Sequence, residues 1–448
     1  MERIEKETRE QQKQVEQNGN LSPSSPAYPL SPAPPVAVDT HDPYRALRFR
    51  DFRLLFIGTF IASLGEQMVN VAIGWELYLR TGSALALGFV GLVQVLPVLV
   101  LSLPAGHLAD RLNRKAIVIV TQLLLALASL GLTALSYTHG ALLLIYACLL
   151  LIGIGAAFNA PAAATLIPQA VPERDFESAA RWSSSSWQLA AVLGPALGGF
   201  VIALGHGTAP VYALNALASL LFLALIMLFR DRQQLPASEG TTLSSLLEGI
   251  HFLRQTHVIL AAITLDMFAV LLGGATTLLP IFAQNILHVG PTGLGWLRAA
   301  PSIGAVCVSI GLTRLPPFKH AGKTLLAAVA GFGLATIVFG LSRSFWLSLL
   351  MLFLLGGFDN ISVVIRSTLL LTQTPDALRG RISAVNAIFL GASNELGGFE
   401  SGIAAQLFGP ALAVGAGGVG TLLVVLCVAL IWPEMRRLRS LSVGEGKH

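Results

Sequence analysis

Glu66, Asp266 and Glu395 stand in stretches that are otherwise almost wholly apolar, "SLGEQMVNVAIGWE", "ITLDMFAVLLGG" and "GASNELGGFES". An ionisable side chain at the centre of a bilayer costs ~2.5–3.5 kcal/mol or more, so it faces a cavity or a partner rather than lipid. The chemistry open to such a group is titration. A carboxyl in a partly apolar cavity can take up a proton in one setting and release it in another. Glu66, close to the middle of its apolar run, and Glu395, at similar depth in its own, are therefore proton-coupling candidates, with Asp266 as the third. Ser63, Glu66 and Asn70 recur at i, i+3 and i+7, one face of a helix. Gln67, Asn70, Gln188 and Asn394 could hydrogen-bond a ligand, Arg298, Asp359 and Glu400 could meet it with charge, and Trp75, Trp187 or Phe268 could offer it apolar surface.

Each of these has a plainer reading. Glu76 and Glu400 could sit at wet outer ends, the reading favoured for Glu76. Asp266 and Arg298 could form a structural ion pair between consecutive helices, and Asp359 could cap a helix or pair with Arg366. No constellation for bond-making chemistry competes with them. The chain has no Walker loop, no HExxH and no GxSxG, and the serines of "WSSSSW" (182–187) have no neighbouring base. The expectation is a protein that is not an enzyme and holds no cofactor or metal. Without an ATP site, any transport it performs is driven by an ion gradient or runs downhill.

The elements that must position these residues are set by composition. Of 448 residues 54% are hydrophobic and only 12% charged, against the ~25% charged residues usual in soluble domains. Apolar runs long enough to cross a bilayer as helices recur along the chain. Twelve are expected, at 53–79, 84–106, 116–137, 140–163, 178–205, 209–229, 257–284, 291–313, 322–342, 345–367, 381–408 and 410–432. Helices satisfy their own backbone hydrogen bonds in lipid, so the fold class is an all-α membrane protein. Cys148, Cys307 and Cys427 fall inside these spans without metal-ligand spacing and read as small packing residues.

Lys and Arg placement orients the chain. Arg45, Arg48, Arg50 and Arg53, then Arg111, Arg114 and Lys115, then Arg174 and Arg181 fall on one side, as do Arg230, Arg314, Lys319, Lys323, Arg379 and Arg381; Arg80 and Arg343 are almost alone on the other. Both termini are expected in the cytoplasm, with the protein in the plasma (inner) membrane. The net charge of +5 follows from this bias. No basic patch interleaved with aromatics points to nucleic acid, so the partners expected are the bilayer, a small molecule and protons, with the chain a monomer.

Residues 1–43, charged and then rich in Pro and Ser, read as a disordered cytoplasmic tail without a signal peptide. Residues 44–230 and 257–434 form two six-helix halves, 231–256 a cytoplasmic linker and 435–448 a second tail. In the linker Leu243, Leu246, Leu247, Ile250 and Leu253 recur at helical spacing, the pattern of a short amphipathic helix. The halves look duplicated. The segment 153–179 lies without gaps on 356–382, placing Gly153 on Gly356, Leu166 on Leu369 and Pro172 on Pro375, and at the same offset Gly194 falls on Gly397 and Gly199 on Gly402.

Two motifs carry a resemblance. "GHLADRLNRK" (106–115), in the tight loop between the second and third spans, resembles the Gly-x-Leu-x-Asp-Arg-x-x-Arg-Lys signature of the major facilitator superfamily through Gly106, Leu108, Asp110, Arg111, Arg114 and Lys115. "AAVLGPALGG" (190–199) resembles the fifth-helix motif of antiporters in that superfamily through Gly194, Pro195, Gly198 and Gly199, with Ala190 in place of its first Gly. Along 44–432 the chain is similar to the enterobactin-exporter and macrolide-efflux branch, "TQTPDALRGRIS" especially.

The resemblance implies the major facilitator fold, a central cavity lined by helices 1, 7, 10 and 11, and a loop motif that latches the cytoplasmic side shut. In that latch Gly106 would allow close backbone approach, and Asp110 would accept from basic side chains or helix amides of the other half. The expected function is proton-coupled export of amphiphilic small molecules, drug- or siderophore-like, by rocking of two halves. An importer or lipid flippase of the same fold, or a transporter-like sensor without flux, stands as the alternative.

Overall fold

The computed structural model describes residues 44–230, 251–253, 255–316 and 318–438, and these are almost entirely helical. Helices α1 (Arg50–Thr81), α2 (Ala84–Arg111), α3 (Arg114–Tyr137), α4 (Leu142–Ala170), α5 (Phe176–Leu204) and α6 (Ala209–Met227) precede the linker. After it come α7 (His257–Leu272), α8 (Gly290–Leu312), α9 (Ala321–Leu341), α10 (Phe345–Gln373), α11 (Asp376–Phe408), α12 (Pro410–Ile431) and a short α13 (Pro433–Arg437). Among the described residues eleven helical stretches are long and apolar enough to cross a membrane; α11 is not one of them. That helix is continuous over 33 residues, but it carries Arg379, Arg381, Glu395 and Glu400 and so falls short of the others in apolar character.

The helices α4, α10 and α11 run several residues past the apolar runs at the end that carries most of the bases, because backbone hydrogen bonding continues into the polar zone where hydropathy no longer marks it. The turns are tight. Gly82 closes α1 in the left-handed conformation (φ 59°) and Ser83 caps α2 by accepting from the Ala86 amide at 3.4 Å. Asn113 caps α3 in the same way, 2.9 Å from the Ala116 amide. The α7 helix is broken after Leu272, continuing through a 3-10 turn at Ala275–Leu278 and a π turn at Phe282–Ile286.

The duplication seen in the sequence is a duplication of packing. Gly194 of α5 lies against the Leu64 carbonyl and Gln67 of α1, and Gly397 of α11 lies against the Val270 and Leu271 carbonyls of α7. Gly199 of α5 meets Gly295 of α8, and Gly402 of α11 meets Gly88 of α2. The same two glycines in each copy thus serve the same two purposes: one packs within its half, the other across to the other half. A Cβ on Gly199 would lie 2.3 Å from the Pro291 carbonyl and one on Gly402 2.9 Å from the Gly88 Cα, so only bare backbone fits.

Cross-half packing gathers at one end. Besides the glycine contacts, Phe89 of α2 meets Phe399 of α11 with ring centroids 5.2 Å apart, Asn285 donates to the Tyr78 hydroxyl at 2.5 Å, and Ser83 donates to Gln406 at 3.1 Å. One apolar cluster there joins residues of both halves, including Ile73, Leu77, Leu279, Phe282 and Leu297. At the basic end the clusters stay separate. Phe52, Val118, Leu166 and Phe222 belong to one, and Leu265, Leu325, Ile365 and Leu369 to another. The structure is closed at the end opposite the bases, and its apolar packing divides between the halves at the basic end.

The expected N-terminal tail and Leu243, Leu246, Leu247 and Ile250 of the expected linker helix lie outside the described residues. Leu253 is buried with Ile259, Ile263, Ile382 and Val385.

Candidate functional site

One face of α1 organises the space between the halves. Thr59, Ser63, Glu66, Asn70 and Gly74 follow one another at three- or four-residue steps. Gly74, last in the row, comes close enough to the C-terminal half that a Cβ there would touch Pro280 at 3.1 Å. The polar members of the row therefore look into the same inter-half space as the chain runs toward the basic end. Glu66 is exposed, and no hydrogen bond or ion pair holds it among the described residues. Neighbouring Gln67 turns to α5, its Cβ against Gly194. Asn70 is half-buried and Gln188 of α5 exposed.

In the C-terminal half the charges pair differently from the sequence expectation. Asp266 is bonded to Arg366 of α10, not to Arg298, and both members of the pair are buried. Ser362, one turn before Arg366, donates to Asp266 at 3.4 Å. The reason is geometric: α7 packs beside α10, whereas α8 turns Arg298 toward α11, where its charge interacts with Glu395. Asp359 does not take Arg366. It lines a cleft of about 10 Å³ with Asp266, Ser362, Phe332 and Phe358. A buried charge without its counter-ion is strongly disfavoured, so the Asp266–Arg366 pair locks the packing of α7 on α10.

Glu395 also touches the other half. Its Oε2 lies over Gly91 of α2, so close that a methyl at that position would collide with it. Asn394 spends its amide on the Leu390 carbonyl at 3.0 Å, within its own helix, and Glu400 is exposed.

Glu76 overturns its expected place at a wet outer end. It is 6% exposed, ion-paired with Arg80, and accepts from the Thr208 hydroxyl at 2.6 Å; Thr208 also bonds Ser136 at 2.8 Å. Arg80 in turn donates to the carbonyls of Leu135 (3.0 Å) and Gly140 (3.1 Å). The result is a buried polar network tying α1 to the α3–α4 and α5–α6 turns. Depth along the sequence could not reveal it, because its partners come from two distant loops.

The loop motif divides its labour. Lys115 caps the end of α6, donating to the carbonyls of Met227 (2.9 Å) and Phe229 (2.8 Å), a cation at a helix C-terminus. Arg114 is buried and lines a cavity of about 1090 Å³ at the basic end with Arg50 and Arg230. Among the described residues a Cβ at Gly106 would meet nothing within 4 Å. Of Asp110 and Arg111 the structure describes only the backbone, at the end of α2. In the fifth-helix motif Gly194 and Gly198 seat α1, through Gln67 and Met68, while Pro195 and Gly199 meet Gly295 of α8.

Sequence reasoning missed a recess between α1, α4 and α5 of about 270 Å³, lined by Thr59, Ser63, Asn159 and Trp187 among others. Its signal was present, since Asn159 is the lone amide in "GIGAAFNAPAAATL".

Residues 41–442 match the family described as "Transmembrane secretion effector". The chain is 27% identical over 389 residues to the enterobactin exporter of Citrobacter koseri, covering 87% of this chain and 93% of that protein. It is 25% identical over the same length to the enterobactin exporter of Escherichia coli O1:K1 / APEC, with the same coverage. Among solved structures, a POT family transporter in complex with 5-aminolevulinic acid superposes with a TM-score of 0.68 at 13% identity, covering 86% of this chain and 97% of that one. The nucleoside transporter NupG superposes with a TM-score of 0.67 at 11% identity, covering 85% of this chain and 99% of that one.

Proposed function

The chain belongs to the transmembrane secretion effector family of the major facilitator superfamily, and from that premise we propose that it exports amphiphilic, siderophore-like small molecules across the plasma (inner) membrane in exchange for protons. Both termini lie in the cytoplasm, α11 also spans the membrane and brings the spans to twelve, and two six-helix halves, 44–230 and 257–434, rock about a central cavity. The working unit is a monomer.

The observation that carries this reading is the arrangement of the acids. Glu66 looks into the space between the halves, and Glu395, on α11, sits where α11 crosses α2. Each is placed where its hydration changes as the halves separate or close, which is what a proton carrier requires. Enterobactin export by two relatives at about one-quarter identity over most of both chains supports the direction and the substrate class. With the basic end in the cytoplasm, the separate apolar clusters at that end support an inward-facing state.

The test is flux. Purified protein in proteoliposomes should move enterobactin outward from the side of the basic loops, faster when the receiving side is the more acidic. Transport that ignores the gradient would remove proton exchange, and no transport of enterobactin or of a panel of amphiphilic drugs would remove export.

A further inference from the structure

We propose that the recess between α1, α4 and α5 is a subsite for an uncharged aromatic group bearing hydrogen-bond-acceptor oxygens, the part of the cargo that the N-terminal half holds. The inference rests on the export reading for its biological meaning, and on the recess alone for its chemistry.

The walls are of two kinds. Phe52, Phe56 and Trp187 supply ring faces, and Thr59, Ser63 and Asn159 supply polar atoms; among the described residues no charged side chain lines the recess. Trp187 is 61% exposed, a large ring left uncovered at the edge of a recess it helps to line. An offset-stacked or edge-on ring would cover it with a specific geometry.

The polar atoms point to acceptors on the ligand. Asn159 Oδ1 accepts from Gln122 Nε2 (3.3 Å) and lies 3.1 Å from the Thr121 hydroxyl, whose single proton is shared with the Ile117 and Val118 carbonyls. The Gln122 bond orients the amide so that its NH₂ is the group left to offer. Thr59 and Ser63 add hydroxyls that bond no other group among the described residues. A carboxylate entering here would lose its hydration without finding a counter-charge among the lining residues. A carbonyl or phenolic oxygen on a flat ring meets every requirement.

Position and size agree. Thr59 and Ser63 belong to the α1 face that carries Glu66, so the recess is one turn from that acid and shares its inter-half space. At about 270 Å³ it is smaller than the ~300–1,000 Å³ of sites that enclose drug-sized ligands, and suits one ring system of a larger molecule. The equivalent place in the other half is filled. The repeat offset that sets Gly153 on Gly356 sets Asn159 on Ser362 and Ala163 on Arg366, and there the Asp266–Arg366 pair leaves a cleft of only about 10 Å³. The two halves are therefore chemically unlike at equivalent places, one neutral and open, the other charged and filled.

The experiment uses the full chain in lipid nanodiscs and four probes: 1-naphthamide, its saturated analogue decalin-1-carboxamide, the 1-naphthoate anion and enterobactin. The expected result is saturable quenching of tryptophan fluorescence by 1-naphthamide, with decalin-1-carboxamide and 1-naphthoate binding far more weakly. Trp187→Phe should abolish most of the quenching while calorimetry still detects binding. Asn159→Leu should bind 1-naphthamide about tenfold more weakly, the factor expected for one lost hydrogen bond. Should Asn159→Leu fail to fold, Thr59→Val and Ser63→Ala carry the same test, and Ser185→Ala, an exposed residue of α5 outside the recess, should change nothing. Equal binding of the amide and the anion, absence of binding, or affinities that none of the recess variants moves would overturn the subsite. Enterobactin flux is measured separately: its failure with amide binding intact rejects the export reading and leaves the subsite standing.

Discussion

Asp266 of α7 and Arg366 of α10 form an ion pair whose side chains are 7% and 3% exposed, beside a cleft of only about 10 Å³. Removing one partner leaves the other charge buried and alone, which costs about 3–5 kcal/mol, whereas replacing both with apolar side chains of similar size is often close to neutral. Asp266→Leu and Arg366→Met should each lower stability by an amount of that order in mixed-micelle unfolding, and the double variant should recover most of the loss. A double variant no better than the worse single one would show that the two charges act independently.

The close approach of Gly199 to Gly295 at the closed end predicts a conformational variant. A Cβ at Gly199 would come within 2.3 Å of the Pro291 carbonyl, and backbone cannot yield as a flexible side chain can. Gly199→Val should therefore prop that end open and shift the population toward the alternate state. A single reactive cysteine placed at Ser83, beside the α2–α11 contact, should be labelled several-fold faster in this variant. Gly207→Val, where a Cβ would meet nothing within 4 Å, is the matched control, and equal labelling in both would reject the argument.

The Glu76 network predicts a structural rather than a coupling phenotype. Arg80→Met removes the counter-ion of a carboxylate that is 6% exposed and frees carbonyls at Leu135 and Gly140. The variant should lose about 3–5 kcal/mol of stability, yet the protein that survives should keep the wild-type response of transport to a pH gradient. A changed response in well-folded protein would move Glu76 into the coupling machinery.

What could be read from the sequence follows from what each pattern reports. Apolar length and the offset between Gly194 and Gly397 report local helix formation and duplicated packing, and both reappear as the order of helices and as paired glycine contacts. Charge pairing depends on which helices become neighbours, and sequence adjacency misled there: Arg298 is on the helix after Asp266, but the partner came from α10. Glu76 was misplaced for a related reason, since distance from the end of an apolar run says nothing of loops folding over it. The recess at Asn159 needs three helices that are far apart in the chain, Thr59 on α1, Asn159 on α4 and Trp187 on α5. A single stretch shows the lone amide Asn159 but not the walls that the other two helices bring to it.

The sharpest prediction concerns Glu66 and Glu395. A group that couples export to protons must favour its charged form in one state and its neutral form in the other, which requires its surroundings to change between them. Glu66 stands exposed on the inter-half face of α1, while Glu395 interacts with Arg298 and lies over Gly91 of the opposite half. Among the described residues no hydrogen bond or ion pair holds Glu66, whereas Glu395 can be bound and released by Arg298 as the α2–α11 contact opens. Glu66→Gln keeps shape and most hydrogen bonding but removes titration, so it should bind enterobactin and exchange it downhill, yet fail to concentrate it when a pH gradient is imposed. Glu395→Gln leaves Arg298 without its partner, and so should lower downhill exchange as well. The readout is the ratio of gradient-driven to downhill flux in proteoliposomes: a fall toward unity for Glu66→Gln with binding preserved supports the assignment. A wild-type ratio in both single variants and in the double variant would exclude both acids and leave Asp266 as the next residue to test.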